Sequence, residues 1–94
     1  MATYIMLSRL TEDGAKTIRA KPGRIQEVNK ELAAMGVKVV QQYAVLGAYD
    51  FVNIVEAPDL GTVMKASVAL SGRGSVRIET LAAVTMDEFV KSVK

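Results

Sequence analysis

The stretch "LGAYDFVNIVEAPD", Leu46 to Asp59, decides the fold. It packs a glycine, two aromatics and an apolar run between two turn signals. Gly47-Ala48 fits a two-residue II′ turn, with glycine supplying positive φ at the first central position. Ala48 to Ala57 then reads as a strand, ended by Pro58, with Asp59 placed to cap a helix. Upstream, "VKVVQQYAVL", Val37 to Leu46, is the other arm of a hairpin.

Working outward, Ile25, Val28, Leu32 and Met35 recur at helical spacing after Pro22, and Gly36 stops that helix. Arg24, Glu27, Lys30 and Glu31 fall mostly off its stripe and read as a solvated face. Thr3 to Arg9 is rich enough in β-branched and aromatic residues for a first strand. The intervening "LTEDGAKTIRAKPG" is broken by Gly14, Pro22 and Gly23 and reads as a turn or one irregular helical turn. After Asp59, the residues Leu60, Val63, Met64 and Val68 mark a second long helix, stopped by Gly72 and Gly74. "SVRIETLAAV" is a fourth strand. "TMDEFVKSVK" opens with a Thr85/Glu88 capping box and offers Phe89, Val90 and Val93 for docking. The order βαββαβ with a short C-terminal helix predicts an α+β, ferredoxin-like fold: a four-stranded antiparallel sheet with helices on one face.

Ninety-four residues make one domain, residues 1–94. Half of them are hydrophobic, more than one small core hides, which favours association. The chain has no cysteine and no histidine. Thiolate sites, the commonest general base and the commonest transition-metal ligand are therefore absent, and no metal site or cofactor is implied. A net charge of +2 is too balanced to point to nucleic acid. No apolar run approaches a membrane span, and the expected setting is soluble and cytoplasmic.

Ile5, Leu7, Val52, Ile54, Val76 and Ile78 are expected beneath the helices. The opposite face is assigned Tyr4, Met6 and Ser8, then Tyr49, Phe51, Asn53 and Val55, then Arg77, Glu79 and Leu81. The II′ turn adds Leu46, Ala44, Gln42 and Val40, and a bulge would substitute Tyr43 and Gln41. Such a face is too apolar for water. A second copy is the expected cover, giving a homodimer or higher even-numbered oligomer with stacked sheets. Arg77 and Glu79 point the same way and satisfy each other as a register pair.

Gly47, Tyr49 and Asp50, with "VRIETLAAVT" and the early Thr11-x-x-Gly14, resemble the GYD-domain family over nearly the whole chain. Ser75 and Gly23 depart from its usual residues. The resemblance implies a ferredoxin-like fold of the dimeric α/β-barrel kind and carries no activity with it.

Three readings of function are open. The first is a small-molecule-binding or regulatory module, its pocket lined by Tyr4, Gln42 or Tyr43, Asn53, Arg77 and Glu79. The second is a cofactor-free enzyme of the dimeric α/β-barrel type, an oxygenase or isomerase of small aromatic or carbonyl compounds. Glu79 would accept the proton and Arg77 stabilise an oxyanion, on fold analogy alone. The third is RRM-like binding of single-stranded RNA through Tyr4, Tyr49 and Phe51, which the greasy face disfavours. No residue is assigned as catalytic. Asp50 and Glu56 lie about 20 Å apart along one strand and form no acid/base pair. Asp50 reads as a turn carboxylate; Arg19, Lys21 and Arg24 could attract a phosphate beside the helix N-terminus but read rather as a solvated basic cluster.

Overall fold

Alternating β-branched and aromatic residues form four strands, and the segments between them supply the helices. The computed structural model describes residues 1–94. In chain order the elements are β1 (Ala2–Leu10), α1 (Glu12–Ala20), α2 (Arg24–Ala34), β2 (Lys38–Ala44), β3 (Phe51–Ala57), α3 (Leu60–Ser71), β4 (Val76–Ala83) and α4 (Met86–Val93). The sheet is antiparallel in the order β2-β3-β1-β4, so the expected ferredoxin-like α+β architecture is present.

One element differs outright from expectation. "EDGAKTIRA" is a full helix, α1, where an irregular turn was expected. Thr11 caps it by accepting from the Gly14 N–H at 3.2 Å. Thr11 also donates its hydroxyl to Gly74 O at 2.6 Å and its N–H to Ser75 O at 3.0 Å. Gly14 is therefore no helix breaker. It lets α1 lie against the backbone ahead of β4, where a Cβ would fall 1.9 Å from Ser75 O.

The hairpin also differs. β2 pairs with β3 through Ala44 and Phe51, so residues 45–50 form a longer loop closed by Val45 N–H to Asp50 O at 2.8 Å. No II′ turn forms at Gly47-Ala48, although Gly47 does adopt a positive φ of 143°. The strands are correspondingly shorter than Val37–Leu46 and Ala48–Ala57.

The largest correction concerns facing. Tyr4, Met6, Ser8, Asn53, Val55 and Ala57 are buried with Leu32 of α2 and Val63, Ala66 and Leu70 of α3. They lie under the helices. Ile5 and Leu7, paired with Ile54 and Val52, turn to the open face and are half-buried. The β4 assignment holds: Val76 and Ile78 pack on the core, and Arg77, Glu79 and Leu81 alternate to the other side. A bulge between Val39 and Gln41 sets Gln41 and Tyr43 opposite Ile54 and Val52, on the open face. Gln42 pairs with Asn53 beneath the helices instead.

Two helix faces differ as well. In α3 only Val63 of the expected stripe is buried, while Leu60, Met64 and Val68 are exposed. In α4 the Thr85 hydroxyl accepts from the Glu88 N–H as a cap, but Phe89, Val90 and Val93 remain exposed rather than docked on the chain.

Gly14→Ala tests the α1 contact. On a free helix surface alanine would stabilise by about 1 kcal/mol. Against Ser75 O it is expected to destabilise by about 1–3 kcal/mol in urea denaturation. A stabilising effect would show that α1 does not rest on that backbone.

Candidate functional site

The sheet's helix-covered face carries a chain of amides where aliphatic residues would be ordinary. Asn29 Nδ2 donates to Gln42 Oε1 at 2.8 Å, and Gln42 Nε2 donates back to Asn29 Oδ1 at 3.2 Å. Gln42 Nε2 also donates to Asn53 Oδ1 at 2.7 Å. Asn53 Nδ2 then donates to Met6 O at 2.8 Å and to Ser8 Oγ at 3.1 Å. The chain ties α2 to β2, β3 and β1 in one line. Burying these amides costs little only because each is paired.

The network forms one side of a cavity of about 120 Å³ between the sheet and helices α1, α2 and α3. Apolar walls come from Ile18, Ile25, Val28, Leu70 and Phe51. Arg24 and Arg73 are the only charged residues in the wall. Arg24 Nη1 bonds both Glu27 and Glu31 at 3.0 Å, Lys21 Nζ bonds Glu27 at 2.8 Å, and Arg73 Nη2 meets the other oxygen of Glu31. Lys21 and Arg24 are thus ion-paired rather than a free basic cluster, and Glu27 and Glu31 are partners rather than bystanders. Hydrogen bonds from Arg73, then Arg24, hold the Glu31 carboxyl below the usual carboxylate range. Those from Lys21, then Arg24, do the same for Glu27.

A second cluster occupies the open face. Arg9 lies over the Tyr49 ring at 4.8 Å and donates Nε–H to Ala48 O at 2.7 Å. Tyr49 donates its hydroxyl to Glu79 Oε2 at 2.8 Å. Asp50 Oδ2 accepts the Leu10 N–H at 2.8 Å, and the Asp50 N–H goes to Ser8 O at 2.9 Å. The Gly47/Tyr49/Asp50 stretch is therefore a stitch: it pins the 45–50 loop to β1 and β4. Asp50 is a turn carboxylate, as expected.

The expected site residues divide between these two places. Gln42 and Asn53 meet in the network, with Tyr4 in the core on the same side of the sheet. Tyr43, Arg77 and Glu79 lie on the other side. Glu79 pairs with Tyr49 and not with Arg77. Tyr4, 5% exposed, and Phe51 sit under the helices, so no RRM-like stacking platform forms with Tyr49. Asn29 and Arg73 stand outside the expected site residues, and Arg24, expected in a solvated basic cluster, lines the cavity instead. The signal was available for Asn29, which falls one position after Val28 on an otherwise regular helical stripe.

Asn53→Leu strands Gln42, Ser8 and Met6 O together, and a loss of about 2–3 kcal/mol is expected in chemical denaturation. The Glu27 and Glu31 pairs have folded pKa values below the unfolded ones. Their stabilisation is complete above the ordinary carboxylate value and is lost as pH falls through the folded values. Melting temperatures between about pH 6 and about pH 3 are expected to fall less steeply for Glu31→Gln than for the parent.

A model of the GYD domain matches residues 4–93. A Thermus thermophilus protein described as a glutamine synthetase and cystathionine beta-lyase binding protein is 53% identical over 95 residues, covering all of both chains. Among solved structures, TTHA0845 of Thermus thermophilus superposes with a TM-score of 0.54 at 27% identity, over 90% of this chain and 95% of its own. FFRP-DM1 superposes with a TM-score of 0.53 at 24% identity, over 89% of this chain and 100% of its own, a likeness of fold alone. The Gly47-x-Tyr49-Asp50 stitch and the match over residues 4–93 together place this chain in the GYD-domain family.

Proposed function

We propose that this chain is a non-catalytic binding protein that acts as a homodimer and docks on an enzyme of amino-acid metabolism. The observation that carries the partner is the end-to-end similarity to a relative described as binding glutamine synthetase and cystathionine beta-lyase. The structure supports a binding role in its unspent apolar surface. Ile5, Leu7, Val52 and Ile54 line the open face, flanked by exposed Tyr43 and Leu81.

A second copy fits that surface. The face carries both signs of charge, Arg9, Lys38 and Arg77 with Glu56 and Glu79, so two copies do not repel as a single field would. Its flat area, from strand spacing and length, is about 450 Å². Stable complexes bury about 800 Å² per partner. The α4 arm supplies more: Met86, Phe89, Val90 and Val93 are all exposed, and Leu81 and Val84 continue the apolar run from β4 into it. The two sheets stack and each α4 closes over its neighbour. Cytoplasmic residence follows from the partners, because these are enzymes of central metabolism.

Calorimetric titration with glutamine synthetase and with cystathionine beta-lyase of the same organism tests the partner. Saturable binding to at least one, at micromolar Kd or tighter, is expected; heat of dilution alone with both would overturn the reading. Val52→Lys is expected to convert the sedimenting species from dimer to monomer while the far-UV spectrum is retained. A monomeric parent at micromolar concentration would contradict the dimer.

A further inference from the structure

The cavity under the helices is separate from the open face, and the reading of it does not depend on the dimer or the enzyme partner. Its wall contains no carboxylate and two guanidiniums. The ion-pair cluster at those guanidiniums joins three cations, Lys21, Arg24 and Arg73, to only two carboxylates, Glu27 and Glu31. One positive charge is left over. Glu31 bonds both arginines, which keeps the two guanidiniums beside each other at the cavity wall. Farther in, the walls are aliphatic and aromatic, from Ile18, Ile25, Val28, Phe51, Leu70 and Val76. The polar floor is almost wholly self-satisfied. Two hydroxyls of the lining, those of Ser8 and Ser75, donate to no group in the chain; the Ser8 Oγ, in a residue 8% exposed, accepts from Asn53.

We propose that this cavity binds a small monocarboxylate with a short apolar body. The carboxylate bonds guanidinium N–H groups of Arg24 and Arg73 that Glu27 and Glu31 leave unoccupied and balances the surplus charge; planar guanidiniums suit a carboxylate better than point charges do. The apolar body displaces water from the Ile25, Val28 and Leu70 walls. The Ser8 hydroxyl is an interior donor free to mark a polar substituent. The volume of about 120 Å³ is well below that of drug-sized sites and limits the ligand to the size of an amino acid or its oxo acid. The Asn29–Gln42–Asn53 line gives the site rigidity: with its amides bonded to one another, the floor stays formed whether or not a ligand is present.

The test is an NMR titration of the isotope-labelled full chain with 4-methylpentanoate and, separately, with 4-methylpentanamide. The acid is expected to give saturable shifts at the side-chain amides of Asn29, Gln42 and Asn53 and at the backbone of Ser8 and Val76. The amide is expected to bind at least about tenfold more weakly, since it lacks the charge. Arg73→Gln, at a partly exposed edge, is expected to bring the acid to the affinity of the amide, with the remaining spectrum unchanged. Absence of saturation up to about 20 mM acid would overturn the proposal. So would equal affinity for acid and amide, or shifts confined to Tyr43, Arg77 and Glu79 on the other face.

Discussion

A sheet with two apolar faces and helices on only one of them is the constraint from which the rest of this structure follows. Tyr4, Met6 and Val55 are buried by α2 and α3, and no element of the chain covers Ile5, Leu7, Val52 and Ile54 behind them. Half-buried aliphatic side chains in one contiguous layer leave part of their burial unspent, a fraction of the roughly 1.5–3 kcal/mol that full burial of an exposed one is worth. The α4 helix adds to this surface instead of relieving it, since its apolar residues are exposed too. The proposed dimer would supply the second layer that this chain does not build for itself.

The choice of which face turns inward rests on a polar residue. Asn53 sits at the centre of the inner face because it finds Met6 O, Ser8 and Gln42 there. Those bonds cancel the desolvation that would otherwise expel it. The same residues made the facing hard to read. Ser8, Asn53 and Gln42 looked like members of the open face, and Ile5, Leu7, Val52 and Ile54 looked like a core, so alternation assigned β1 and β3 to the wrong sides. In β4 the alternation of Val76 and Ile78 with Arg77 and Glu79 was unambiguous, and there the reading was right. Element order and topology were legible because they depend on pattern and punctuation. The α1 helix was not, because Gly14 serves a tertiary contact with Ser75 that no local signal announces.

The candidate sites were legible to a different degree. Gln42 and Asn53 stood out as polar residues within strands, and they do meet. Arg24, Glu31 and Arg73 come from two segments far apart in sequence, and only the packing of α2 beside the end of α3 brings them to one cavity wall. The Gly47-x-Tyr49-Asp50 stretch was conspicuous, and its role is mechanical. Tyr49 and Asp50 hold a loop across β1 and β4, which leaves the middle of the open face flat and available. Motif, cavity and open face thus divide the labour between holding the fold, offering an interior, and offering a surface.

The most direct measurement is an isotope-filtered NOE experiment on a mixture of labelled and unlabelled chains. Contacts between the methyl groups of Ile5, Leu7, Val52 and Ile54 of one protomer and the same residues of its partner are expected. Methyl groups in that layer showing NOEs only to their own chain and to water would contradict the stacked-sheet dimer.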